Sequence, residues 1–205
     1  MGRLIVSMNL SFDGFIEAQG QDDGSWLSID EEVHLVFNAL AAGAETLLYG
    51  RKVYEVMIPY WPEAATDATR PSHERAYGQT WVEKPKVVVS TTLKDAGWNT
   101  RVVSADPLEE IARLRHASNG DVLCYGGAQL VSALQQRGLV DEYVLFVHPC
   151  ALGAGVPFFR ERVDLTLLEV RRFENGAVQH RFAPRHDSAI VGPIVAGGTH
   201  VAGPI

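Results

Sequence analysis

Three observations predict an α/β domain built on a mixed, mostly parallel sheet. Short apolar runs alternate with amphipathic stretches, the runs are bounded by glycine, proline or charge, and the last two flank Asn175-Gly176. In chain order, residues 3–7 read as the first buried strand. Residues 30–42 read as a helix with Val33, Val36, Phe37 and Leu40 on one face. Residues 46–49 are a second strand that runs through Gly50 into another helix. Residues 86–90 are a third strand. Asp106 stands as N-cap to a helix over 107–116, with Pro107 at the first helical position and Glu109 and Glu110 in the first turn. The strand at 121–125 feeds Gly126-Gly127 and a helix over 127–137, which Gly138 stops. Residues 142–148 are a further strand. Asn175-Gly176 is a strong hairpin signal between strands at 164–174 and 177–183, so the sheet ends antiparallel.

Composition bounds the function. The chain has 205 residues, 46% of them hydrophobic and 21% charged, enough for one domain with a substantial core. Eighteen Lys and Arg against 25 Asp and Glu leave a charge of −7, the wrong sign for a nucleic-acid binder that works by neutralising phosphates. The longest uncharged stretch before the tail, 143–159, carries His148, Pro149, Gly153, Gly155 and Pro157, so no membrane span is expected. The N-terminal apolar stretch is broken by polar residues too early for a signal peptide. Cys124 and Cys150 lie in apolar runs without zinc or redox spacing, and they read as two reduced core cysteines of a cytoplasmic protein. No metal site is expected, and His34 and His148 read as structural. From Ser188 the sequence becomes an uncharged, Gly- and Pro-punctuated tail. The expected division is a domain over 1–185 and an apolar extension over 186–205 that packs on its own domain or on a partner subunit.

The signatures of P-loop NTPases, ordinary Rossmann dehydrogenases, serine hydrolases and zincins are missing. Three strand ends remain. Leu48-Tyr49-Gly50-Arg51-Lys52 puts a glycine and two cations at a strand-to-helix turn, suited either to clamping a phosphate or to capping with solvated cations. Gly126 and Gly127, followed by Ala128, Gln129 and Leu130, leave room for a pyrophosphate or a nicotinamide ring. Ser90 and Thr91 end a strand in hydroxyls, suited to a phosphate or to a turn. All three lie at the C-terminal ends of expected parallel strands, where open α/β sheets bind ligands.

In order along the chain, several pieces resemble the dihydrofolate reductase-like superfamily, in the branch of the reductase domain of the riboflavin-biosynthesis protein. They are Ser11-Phe12-Asp13-Gly14, Tyr49-Gly50-Arg51-Lys52-Val53-Tyr54-Glu55, Tyr60-Trp61-Pro62, Ser90-Thr91-Thr92, Gly126-Gly127-Ala128-Gln129-Leu130, Gly138-Leu139-Val140-Asp141-Glu142 and Leu152-Gly153-Ala154-Gly155. The resemblance runs from about residue 3 to 184 and implies a dihydrofolate reductase-like fold, NADPH as cofactor and a homodimer. It assigns the cofactor's phosphates to Gly50, Arg51 and Lys52 and to Gly126, Gly127, Ala128, Gln129 and Leu130. Ser90 and Thr91 fall to the adenosine 2′-phosphate, and Arg51 and Lys52 as further partners of that group favour NADPH over NADH. Val53 departs from the Thr or Ser of dihydrofolate reductases.

On the substrate side the resemblance offers a catalytic acid at Asp30 or Glu31, after Trp26, although a helix N-cap explains those carboxylates equally well. Asp13 matches the acid of the riboflavin-pathway reductases and is a candidate for touching a polar substrate, or else a turn-forming residue before Gly14. Tyr54, Tyr60 and Trp61 are candidates for walling a planar substrate, although aromatics at such positions are more often core. The expected activity is hydride transfer from NADPH to a C=N or C=O bond of a small polar molecule, as in reduction of 5-amino-6-(5-phosphoribosylamino)uracil. Reduction of dihydrofolate, or a nucleotide-binding module without catalysis, are the alternatives. The H-x-E and P-C-x-x-C zinc signature of a deaminase is absent, so the expectation is a stand-alone reductase.

Overall fold

The computed structural model describes residues 1–20 and 22–185. Within them the chain runs β1 Leu4–Ser11, β2 Phe15–Ala18, α1 Glu31–Gly43, β3 Ala44–Gly50, α2 Arg51–Met57, α3 Trp61–Ala64, α4 Ser72–Glu83 and β4 Lys86–Val89. It continues through β5 Thr100–Val103, α5 Pro107–Ala117, β6 Asp121–Gly126, α6 Ala128–Gln136, β7 Glu142–His148, β8 Gly155–Pro157, β9 Leu165–Arg172 and β10 Val178–Pro184. None of the helices among the described residues is long and apolar enough to cross a membrane.

One sheet has the order β5-β4-β3-β6-β1-β7-β10-β9, and β2 and β8 form a separate antiparallel pair. The six strands from β5 to β7 are parallel to their neighbours. Strand β10 returns antiparallel to β7, and β9 antiparallel to β10. Parallel strands need crossovers, and the helices supply them on both faces. The side-chain alternation of the strands splits the core accordingly. Leu4, Val6, Val122, Tyr143 and Leu145 meet Ile111 of α5 and Val131 and Leu134 of α6 on one face. Ile5, Leu47, Tyr49, Leu123, Val144 and Phe146 meet Val33 of α1 and Tyr77 and Trp81 of α4 on the other.

The two ends of the parallel strands are chemically distinct. At their N-terminal ends Arg3 pairs with Asp121 and with Glu142, and the buried Glu142 is held from the other side by Arg181 at 2.6 Å. The C-terminal ends carry the loops that build the cavity described below. A lysine inside β4 also has a local reason. The Lys86 ammonium donates to the carbonyls of Trp81 and Lys84, which α4 leaves without an intrahelical donor, and burial pulls its pKa down to about 8.

Several elements differ from the expectation. The 12-residue α4 escapes the periodicity reading because its buried positions, Tyr77, Gly78 and Trp81, are few and set among polar residues. Strands β2, β5 and β8 have only four, four and three residues. Asp106 does not cap α5: it is left-handed, with φ 44°, and its side chain accepts no capping bond, although Pro107 opens the helix as expected. The hairpin turns through five residues, not two. Phe173 is buried and its N–H donates to Ala177, while Gly176 takes the positive φ of 87° and Val178 pairs with Arg172. Strand β7, the first part of the uncharged 143–159 stretch, is sandwiched between β1 and β10, and its Tyr143, Val144 and Phe146 are fully buried. Cys124 is a core thiol that burial pushes up to about 12, but Cys150 is only half-buried. The extension over 186–205 lies outside the described residues.

Candidate active site

At the C-terminal edge, β3 and β6 end side by side in glycine, with Tyr49 in register with Gly126. A β-carbon on Gly50 would stand 2.7 Å from the Gly126 carbonyl oxygen, and one on Gly126 would collide with Val131 Cγ2. Both glycines are therefore required by close approach, and Gly126 also needs its φ of +41°. Gly127 differs. Its φ is +106°, it precedes the first residue of α6, and nothing lies within 4 Å of where its β-carbon would be. That leaves open backbone at the N-terminus of a nine-residue helix, with the Arg51 guanidinium and the exposed Lys52 on the neighbouring turn. Arg51 is held by Glu55 at 2.8 Å, both partly exposed.

Beside this cradle lies a cavity of about 480 Å³ between β1, α1, α2, α3 and α4. Met8 joins the two features: its Cε lies 3.7 Å from the β-carbon position of Gly126, and it lines the cavity. The adjacent Tyr125 also lines it, stacked on Tyr49 at 5.4 Å, with a hydroxyl that meets no hydrogen-bond partner among the described residues. Burial pushes the Tyr125 and Tyr49 phenols well above their ordinary range, so both stay protonated. Phe37, Trp61 and Tyr77 supply further aromatic wall, and His34 stands among them, with ring centroids 4.9 Å from His73 and 5.7 Å from Trp61. Burial and then the His73 imidazole pull the pKa of His34 below its usual value.

Of the carboxylates, Asp30 and Glu31 both line the cavity. Asp30 caps α1, accepting from the Val33 N–H at 3.0 Å, and Glu31 lies 3.6 Å from His73 Nδ1. Asp13 does not line it. Its carboxylate accepts from the Ser11 hydroxyl at 2.6 Å and from the N–H groups of Leu152 and Gly153 at 3.0 and 2.7 Å, which lowers its pKa to about 2. In this arrangement Asp13 ties the β1–β2 turn to the 149–154 loop. Trp61 lines the cavity, with its indole N–H 2.8 Å from the Met57 sulfur. Tyr54 does not: it is fully buried between Tyr49 and Trp81, and its hydroxyl donates towards the Gly97 carbonyl and Thr100 Oγ1 at 3.0 Å. The Ser90 hydroxyl caps the turn after β4, accepting from the N–H groups of Thr92 and Leu93, and Thr91 is exposed beside it. Ala128 is buried at the start of α6, with Gln129 exposed and Leu130 half-buried.

Sequence reasoning missed the inward face of α4, His73, Glu74 and Tyr77, because it missed the helix. It named His34 only as structural, yet His34 lies one helical turn beyond Asp30, on the same side of α1. His148 is structural, as expected: Nδ1 accepts from the Ser28 N–H at 3.0 Å and Nε2 faces Asn9 Oδ1 at 3.0 Å.

The family model described as the RibD C-terminal domain matches residues 3–179. The chain belongs to the RibD C-terminal domain family. This is a family of NADPH-dependent reductases whose fold is that of dihydrofolate reductase. The protein YyaP of Bacillus subtilis, described as uncharacterized, is 32% identical over 181 residues, covering 86% of this chain and 92% of YyaP. Among solved structures, a putative riboflavin biosynthesis protein from Shewanella sp. PV-4 superposes with a TM-score of 0.66 at 20% identity, over 89% of this chain and 99% of that one. Dihydrofolate reductase from Enterococcus faecalis, solved with NADP(H), superposes with a TM-score of 0.59 at 17% identity, over 89% and 96% of the two chains. The RibD C-terminal domain fold thus carries the glycine cradle and the cavity alike.

Proposed function

We propose that this protein is an NADPH-dependent reductase that transfers hydride to a C=N or C=O bond of a small polar substrate, in the manner of the pyrimidine reductase of riboflavin biosynthesis. The observation that carries this reading is the continuity of the Gly126–Gly127 cradle with the aromatic cavity through Met8 and Tyr125. A dinucleotide fits the cradle on structural grounds, because the open side of Gly127 exposes backbone at a helix start and Arg51 and Lys52 stand near it. Gly50, Gly126, Gly127 and the first residues of α6 would hold the diphosphate, and Arg51, Lys52, Ser90 and Thr91 the 2′-phosphate. The bound cofactor supplies the hydride.

This chain's own residues orient the substrate and exclude water. The rings of Phe37, Trp61 and Tyr77 cover a flat molecule, and the carboxylates of Asp30 and Glu31 stand at the cavity where a proton can be relayed from solvent. The free thiols of Cys124 and Cys150 support a cytoplasmic enzyme. NADPH oxidation across pterins, aminopyrimidine ribosides and simple aldehydes tests the reading. Turnover of one class that falls at least about tenfold in Trp61→Ala is expected. NADPH binding without oxidation in any class would favour a nucleotide-binding module instead.

A homodimer is proposed as well. Among the described residues strand β9 is the free edge of the sheet, with Leu167, Leu168 and Val170 each about half exposed, an apolar patch that pairing with a second copy would cover.

A further inference from the structure

We infer that Asn9 holds the substrate at the cradle end of the cavity, its side-chain N–H2 donating to an uncharged acceptor, a carbonyl oxygen or a ring nitrogen. The inference rests on the reductase reading, since it names a substrate contact in the same site.

Position is the first support. Asn9 stands near the C-terminal end of β1, the strand between β6 and β7. Side chains alternate along it, and Ile5 faces the α1 and α4 side of the core, so Ser7 and Asn9 face that side too, and both line the cavity. Met8, next to Asn9, lines the same cavity and reaches to 3.7 Å from the β-carbon position of Gly126. Asn9 therefore falls where the cavity meets the cradle. Central strands of a parallel sheet are apolar, and asparagine is depleted in strands, so an amide here stands out from its surroundings.

Orientation is the second support. Asn9 is in register with Phe146, two residues before His148 on β7, and its Oδ1 lies 3.0 Å from His148 Nε2. The Ser28 N–H can only donate, and at 3.0 Å from Nδ1 it makes that nitrogen the acceptor. Ser28 is itself held, since its carbonyl accepts from Asn175 Nδ2 at 2.9 Å. His148 is fully buried and burial lowers its pKa, so the ring is neutral and its single proton sits on Nε2. The Asn9 atom facing that proton must accept, which makes it the amide oxygen and commits it to the protein. Two N–H donors are what Asn9 has left to offer a ligand. The residue is half-buried and lines the cavity, so it is not sealed in the core.

The carboxylates of Asp30, Glu31 and Glu74 line the same cavity, where they accept hydrogen bonds and repel anions. An uncharged oxygen or nitrogen with a free lone pair is the group that suits Asn9 in that company.

The test titrates three flat bicyclic probes into the full-length protein by calorimetry. Isoindolin-1-one carries a carbonyl acceptor, isoquinoline a ring nitrogen, and indole an N–H donor with no acceptor. Asn9→Asp keeps an oxygen for His148 and removes the N–H2, and Asn9→Ala removes the whole amide. In Asn9→Ala the affinity for at least one acceptor probe should fall about tenfold while that for indole stays within about twofold, and isoindolin-1-one, if it is that probe, should lose as much in Asn9→Asp. The probe that loses affinity identifies the acceptor. Unchanged affinity for both acceptor probes in the variants, or no binding of either to the native protein, overturns the inference. NADPH is titrated in parallel. A variant that loses NADPH affinity and keeps that of both acceptor probes puts Asn9 on the cofactor and overturns it as well. A native chain that binds an acceptor probe through Asn9 but does not bind NADPH refutes the reductase reading and leaves the contact standing.

Discussion

Single residues decide how the loops around the cavity are held. His148 acts as an acceptor at Nδ1 for the Ser28 N–H, so Nε2 carries the proton and faces Asn9, a residue that lines the cavity. Burial lowers the pKa of this imidazole below its ordinary value. The stabilisation it gives is therefore complete above the unfolded pKa of about 6.5 and is lost as pH falls towards the lower folded value. Thermal midpoints should drop over that interval in the native protein, and His148→Gln should flatten the drop. An identical pH profile in the variant would remove His148 from this role. Asp13 works by the same logic at lower pH, its pKa held down to about 2 first by the Ser11 hydroxyl and then by the Leu152 and Gly153 N–H groups that fasten the 149–154 loop.

Among the strands and helices, the junction of β6 and α6 is the tightest constraint. Gly126→Ala drives a methyl into Val131 Cγ2 at a φ of +41°, which should cost about 2 to 4 kcal/mol in urea unfolding. Gly127→Ala meets open space and only the strain of its φ of 106° and ψ of 141°, about 1 to 3 kcal/mol, and should harm cofactor binding more than stability. Costs in the opposite order would contradict this reading of the two glycines. Helix α6 also shows what the sequence made legible. Gly138 ends it with φ 63°, its N–H bonding to Gln135 and that of Leu139 to Leu134, the glycine stop expected from Arg137-Gly138. The parallel strands β1, β3, β4, β6 and β7 were legible because they are continuous apolar runs buried on both faces, and the half-exposed β5 was not. Helix α4 was not, because its contacts are made by Tyr77 and Trp81 in a polar background, and with it went the His73, Glu74 and Tyr77 side of the cavity wall. Tyr54 was misplaced for a related reason: an aromatic residue next to a phosphate-binding turn reads the same in sequence whether it faces substrate or core.

Across the molecule, the parallel strands give one edge to ion pairs and the other to ligands, and the antiparallel β10–β9 extension leaves a second apolar surface at the end of the sheet. If β9 is a dimer edge, Leu168→Asp should shift the protein from dimer to monomer in sedimentation, and a wild-type monomer would dismiss that proposal. The reductase function depends on the ligand edge, where the glycine cradle opens onto the aromatic cavity. Calorimetric titration of NADPH and NADH into the full-length protein is the decisive experiment there. One NADPH per chain should bind, at least about tenfold more tightly than NADH, with Arg51→Ala erasing the difference. Absence of NADPH binding, or a preference for NADH, would overturn the assignment of the cradle.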